Sequence, residues 1–235
     1  MTAALTSTEV DAGSPDDRRV RSSSPTAGRR LSAEERRSQL FDVALRLFSE
    51  RGYAATTMDD IAEAAGVTKP LVYQHFDSKR ALYLELLTAV SHEVITAIGE
   101  ATAAAEGPRQ QVERGFAAYF GLVVNRTEAF QLLYGRDAPG DPELNEALHR
   151  VEGAIAEAIE PLIDAGLDPG HRLLLAYAVV GMAEGASRHW MAETERDRGE
   201  PTPGPVGDTG PGAAAILASR LADLAWAGLR QVHRD

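Results

Sequence analysis

The chain holds 235 residues, 44% of them hydrophobic and 25% charged, with a formal net charge of −11 and no cysteine. That is enough apolar material for one large or two small cores, and the missing thiols exclude disulfides, thiol nucleophiles and zinc ribbons. No apolar run approaches the roughly 18 residues of a membrane span, and the N-terminus lacks the apolar region of a signal peptide, so a cytoplasmic protein without a membrane partner is expected. The pair Arg29-Arg30 is followed by Leu31-Ser-Ala-Glu-Glu and not by an apolar stretch, so it is no twin-arginine signal.

Residues 1–30 are rich in Ser, Pro, Gly, Asp and Arg, which predicts a disordered tail. Ser32 with Glu35 forms a capping box that opens the first helix. Leu40, Phe41, Ala44, Leu45, Leu47 and Phe48 line one broad face of it, and Gly52 is its C-cap. Thr57 with Asp60 opens a short second helix, with Ile61 and Ala65 facing inward. Gly66 then supplies a turn, and Thr68 caps a third helix with Pro70 in its first turn. Asp77 or Ser78 caps a fourth helix expected to run toward Glu106 and stop at Gly107-Pro108. About 27 residues at 1.5 Å each span roughly 40 Å, enough to link a head to a body.

Further helices are expected over residues 108–125, with Phe116, Tyr119, Phe120 and Val123 on one side, and over 127–134, with Phe130, Leu133 and Tyr134. Asp141-Pro142 and Asp168-Pro169 each combine an N-cap with proline at the first helical position, and each opens a long helix. Nine of the fourteen residues 199–212 are Gly or Pro, which marks an irregular loop. A last helix follows over Ala213–Val232. The chain therefore reads as all-α: a tail (1–30), a three-helix head (31–80), and a helical body (81–235) joined to the head by the long fourth helix.

Two short helices about a tight turn at Gly66-Val67, running straight into a third, have the shape of a helix-turn-helix, whose second helix is placed to enter a DNA major groove. The only two lysines of the chain, Lys69 and Lys79, fall in this stretch. Residues 1–80 carry 12 Lys+Arg against 12 Asp+Glu, which leaves residues 81–235 with 12 against 23. The acidity thus lies entirely in the body. Either it repels DNA away from the head and suppresses non-specific binding, or it is simply a solvated surface.

Over residues 33–80 the sequence resembles the tetracycline-repressor (TetR) family of transcription regulators. The resemblance is carried by Phe48-Ser-Glu-Arg-Gly-Tyr53, Thr56-Thr57, Asp60-Ile-Ala-Glu-Ala-Ala-Gly-Val-Thr-Lys69 and Leu71-Val-Tyr-Gln-His-Phe-Asp-Ser-Lys79. Beyond residue 80 the likeness is one of architecture. It implies an obligate homodimer, a palindromic double-stranded DNA operator, a small hydrophobic effector in the body, and repression relieved by that effector. Carried onto this chain, Thr57 meets a phosphate. Thr68 and Lys69 bond phosphate or base, and Pro70 touches a thymine methyl. Tyr73 and His75 donate to phosphates, Gln74 reads an adenine edge, and Lys79 grips the backbone from the start of the long helix. Arg29 and Arg30 are either a minor-groove arm or part of a solubilising tail.

For the effector, the candidates are Phe116, Tyr119, Phe120, Val123, Phe130, Leu133 and Tyr134, with a second cluster at Met182, His189 and Trp190. An aromatic stripe at helical spacing is equally the mark of a plain core. Asn125, Gln131 and Glu184 are further polar candidates. For the dimer face, Ala178, Gly181 and Gly185 line one side of one helix, and Leu217, Leu221, Leu224 and Gly228 form a seam on the last.

An enzyme is not expected. Only one Glu-x-x-His motif is present, Glu146-Ala-Leu-His149, where a di-iron bundle needs two. Zinc-spaced histidines, a nucleophile elbow and a phosphate-binding glycine loop are all missing. No metal or cofactor is expected. The competing class is a helical dimeric interaction module without regulatory DNA binding.

Overall fold

The computed structural model describes residues 31–134, 141–163, 166–197 and 211–232; Arg29, Arg30, the rest of the tail and most of the Gly/Pro stretch lie outside them. The helices are α1 (Ala33–Ala55), α2 (Met58–Ala64), α3 (Lys69–His75), α4 (Lys79–Ala103), α5 (Pro108–Asn125), α6 (Thr127–Tyr134), α7 (Pro142–Ile159), α8 (Pro169–Asp197) and α9 (Pro211–Leu229). A short 3-10 turn, Glu160–Leu162, extends α7. Among the described residues there is no strand.

Both capping boxes form. The Ser32 hydroxyl accepts from the Glu35 N–H while the Glu35 carboxylate accepts from the Ser32 N–H, and Thr57 and Asp60 do the same for α2. Gly52 breaks the helical dihedrals of α1 with φ 80. The buried Thr56 hydroxyl donates to the Gly52 carbonyl and fastens that kinked end. The turn after α2 is a Schellman motif: Gly66 has φ 66, its N–H reaches the Glu63 carbonyl, and the Val67 N–H reaches the Ala62 carbonyl. Leu40, Phe48, Ile61, Val72 and Phe76 then close the head core against Leu82 and Leu86 of α4.

The long α4 serves head and body at once. Its Tyr83 hydroxyl donates to the Leu132 carbonyl of α6 at 3.2 Å, and burial pushes that phenol up to about 12. It ends at Ala103 and not at Glu106, because the chain turns in time for Gly107 and Pro108 to start α5 in extended-to-helical register. The last helix begins at Pro211, two residues inside the expected loop, with proline again in its first turn, and stops at Leu229.

Two helices, Lys79–Ala103 and Gly212–Leu229, are long and apolar enough to cross a membrane by length and composition. Neither is an unbroken apolar run, because scattered charges interrupt both. Here α4 lays Leu82, Leu86, Leu87, Val90, Val94 and Ile98 into the core, and α9 lays Ala214, Ala218, Ala222 and Ala225 there.

Candidate nucleic-acid interface and internal void

Helix α3 is anchored by the fully buried Val72 and the half-buried Leu71, which turns the remaining side chains outward. Thr68, Lys69, Pro70, Tyr73 and Gln74 are all exposed, and His75 is half-buried. Positions 69, 70, 73 and 74 share one helical face, so the structure brings these candidates into a single surface. Thr68 precedes the helix with no capping hydrogen bond from its side chain, which leaves its hydroxyl for other partners. The exposed Thr57 hydroxyl is committed to Asp60 through the capping box, and the Asp60 carboxyl is held below its usual range by those bonds.

The two lysines differ. Lys69 Nζ lies on the exposed face, 2.8 Å from the Asp59 carboxylate, and that bond raises its pKa. Lys79 is half-buried. Its ammonium donates to the Tyr53 carbonyl at 2.8 Å and stands 4.2 Å from the centre of the Tyr53 ring, pinning the start of α4 to the end of α1. Burial lowers its pKa. The spacing Tyr53…Lys79 carries no periodicity, so this pairing was invisible in sequence.

In the body, an apolar void of about 750 Å³, its open mouth included, lies between α4, α5, α6, α7, α8 and α9. Phe116, Tyr119 and Tyr134 line it, together with aliphatic residues missed in the sequence: Ile98, Val112, Ile155, Ile159, Leu162, Val179 and Val180. Phe120, Val123, Phe130 and Leu133 are buried outside its walls, as core. Nor does the second cluster reach it: Trp190 is buried elsewhere, Met182 is half-buried, and His189 is exposed. Ring geometry explains the split, since Phe120 and Phe130 stack edge-on against Tyr119 from behind.

Polar atoms gather at one end of this void. The Tyr119 hydroxyl lies 3.2 Å from Ser187 Oγ, and Ser187 donates to the Ala183 carbonyl at 2.9 Å. A serine has one proton, so with that proton on Ala183 the Tyr119 hydroxyl is the donor to Ser187. Burial raises the Tyr119 and Tyr134 phenols. Glu184, one of the polar candidates, is paired with Arg188, which also faces the Tyr134 ring.

On the outside of the body, Ala178, Gly181 and Gly185 are exposed along α8, as expected, and so are Leu174 and Tyr177 on the same face. On α9 the residues expected to form the seam differ in exposure. Leu224 and Gly228 are exposed, but Leu217 and Leu221 are half-buried against the chain's own core, and Ile216 takes the outward position.

Among the described residues no group of His, Asp or Glu is arranged to hold a metal. A short exposed helix presented by a Schellman turn, on a head joined to an all-helical body, defines a helix-turn-helix DNA-binding transcription regulator.

The profile described as "Bacterial regulatory proteins, tetR family" matches residues 40–86. The transcriptional activator FasR of Mycolicibacterium smegmatis is 31% identical over 166 residues, which are 70% of this chain and 76% of that protein. The chain belongs to the TetR family. A TetR-like regulator from Rhodococcus sp. RHA1 superposes with a TM-score of 0.64 at 26% identity, covering 86% of this chain and 100% of the other. FadR from Bacillus subtilis, solved in complex with stearoyl-CoA, shares the fold at 15% identity and a TM-score of 0.65, over 81% of this chain and 98% of that one. These relatives are transcription regulators and not enzymes.

Proposed function

We propose that this regulator binds a palindromic operator as a homodimer, and that an apolar effector in the body void lowers that affinity. The observation that carries the reading is the exposed surface of Thr68, Lys69, Pro70, Tyr73 and Gln74 on a helix held from behind by Val72. Side chains of this kind supply phosphate contacts that position the protein and a polar edge for base readout. His75 and Thr57 flank the surface. Two such heads, related by the two-fold axis of a dimer, require a palindromic site whose half-site spacing follows from the dimer. The exposed apolar faces of α8 and α9 support that dimer.

The effector reading rests on α4. Its Ile98 and Thr102 wall the void, and its first turn packs on the head, so displacement at one end is transmitted to the other. By linkage, operator DNA lowers effector affinity by the same factor. The apolar walls favour an effector with a substantial hydrocarbon part, and the fold relative that binds stearoyl-CoA supports that class. An operator overlapping a promoter gives repression. FasR, an activator, favours a second outcome in which the operator lies upstream and binding activates.

The test is fluorescence anisotropy with DNA from upstream of this protein's own gene, titrated against random duplex at two salt concentrations. Tight binding that survives competitor and weakens with salt supports the reading. If neither this DNA nor selection from a random pool yields an enriched motif, the interaction-module alternative replaces it.

A further inference from the structure

Asp59 of α2 and Lys69 of α3 meet across the turn, ten residues apart, with 2.8 Å between the carboxylate Oδ2 and Nζ. We propose that Asp59 reads a base: its second carboxylate oxygen accepts a hydrogen bond from the exocyclic amine of a cytosine in the major groove, and Lys69 holds the carboxylate in place. This deepens the DNA-binding reading above and rests on it.

The placement follows from what α2 buries. Met58, Ile61 and Ala62 face the head core, and Asp59 is turned out of it. The ion pair then brings its carboxylate to the first residue of α3, beside the exposed surface of positions 69, 70, 73 and 74. Both partners stay in solvent, with the Lys69 side chain 50% and the Asp59 side chain 64% exposed.

Helix α2 does not need this carboxylate for its cap. Asp60 fills that role, accepting from the Thr57 N–H at 2.7 Å, and it also faces Arg51 at 3.8 Å. Among the described residues Asp59 is bonded only to Lys69, through Oδ2, so Oδ1 keeps its lone pairs. An ammonium has three N–H groups, and Lys69 spends one on Asp59.

A lone carboxylate at a DNA surface is repelled by the phosphates. Beside an ammonium its charge is offset, and what remains is directional: an acceptor with a donor 2.8 Å away. A C·G pair presents the complement in the major groove, the cytosine amine and guanine O6, about 2.9 Å apart across their own hydrogen bond. The spacings match, so the carboxylate falls on the amine while the ammonium falls on O6. One Lys69 N–H is then left for a phosphate. The adenine amine is a poorer target, because it lies between two acceptors, adenine N7 and thymine O4, and the ammonium covers one of them. Guanine and thymine turn only acceptors toward the groove, and these repel a carboxylate.

The experiment uses the full chain and a random duplex pool, selected in parallel with wild type, Asp59→Asn and Lys69→Met and read by sequencing. Wild type should enrich a C·G pair at one position of each half-site, and Asp59→Asn should lose that preference while keeping the others. Replacing the pair by T·A in both half-sites should weaken wild type by at least about tenfold and Asp59→Asn by less than about threefold. Lys69→Met should blunt the same position, which a phosphate contact alone does not do. Asp59→Asn also gains affinity by losing a charge, but that gain is equal for every duplex. If it gains affinity and keeps every base preference, Asp59 only tunes charge and the proposal is overturned. An A·T preference at the Asp59-dependent position overturns it too. Should Asp59→Asn melt early, Lys69→Met decides, and unchanged preferences at every position again overturn the base contact. If wild type itself enriches no motif, the operator reading falls and the base contact falls with it.

Discussion

Arg80, in the first turn of α4, forms an ion pair with Asp141, the N-cap of α7, across 61 residues of chain. The same guanidinium reaches Glu143, so one side chain joins the DNA-binding head to the helix that walls the void. The hydrogen bond from Arg80 holds the Asp141 carboxyl below the usual carboxylate range. A folded-state pKa below the unfolded one contributes stability above the unfolded value and loses it as pH falls through the folded one. Arg80→Gln should therefore melt lower than wild type at pH 7, and the gap should close as the pH falls below about 4. Thermal melts across that range check it. A gap that persists unchanged in acid would assign the loss to packing.

The turn that presents α3 depends on the left-handed backbone of one glycine. Gly66 sits at φ 66 with no atom within 4 Å of where its Cβ would be. Gly66→Ala should therefore cost only the left-handed backbone strain, about 1 kcal/mol, by urea unfolding. A loss several times larger would mean that the substituted turn repacks against its neighbours.

Much of the head was legible because its signals are local. Ser32 with Glu35 and Thr57 with Asp60 are three residues apart, and each pair closes its box in the fold. The body was legible as helices but not as surfaces. On α9 the sequence suggests that leucine marks the dimer seam, yet the face turned to the core is alanine at 214, 218, 222 and 225. Small side chains let α9 approach α5 closely, and the leucines fall to the flanks. The void was illegible for a related reason: Ile155 and Ile159 lie one turn apart on α7 whether they meet a neighbour or line a space. Only tertiary placement separates the two cases.

Lys69 and Lys79 separate in a salt titration. Removing one side chain that neutralises a phosphate should reduce the slope of log affinity against log salt by about one. Lys69→Ala should show that reduction. Asp59→Asn, which removes the acid at 2.8 Å from Lys69, should instead strengthen DNA binding at low salt. Lys79→Met should leave the slope unchanged and destabilise the head by about 1–2 kcal/mol, because it deletes the hydrogen bond to the Tyr53 carbonyl and the cation over the Tyr53 ring. A reduced slope for Lys79→Met would show that the ammonium leaves Tyr53 for a phosphate when DNA arrives.

The proposed dimer face can be tested without disturbing the fold. Leu174 is 67% exposed and Leu224 61%, beside Tyr177 and Ile216. Ala178, Gly181 and Gly185 continue the α8 face at helical spacing, which lets a partner helix come close. Leu221 is unsuitable for this purpose because it packs on the chain's own core, so its replacement would confuse folding with assembly. Burying an exposed leucine is worth about 1.5–3 kcal/mol, and two-fold symmetry counts each position twice. Leu174→Glu with Leu224→Glu removes that gain and sets four carboxylates facing one another. Sedimentation should give a monomer with unchanged helical circular dichroism, and operator affinity should fall because the two heads are no longer linked. A dimer that survives both substitutions would move the interface to another face of the body.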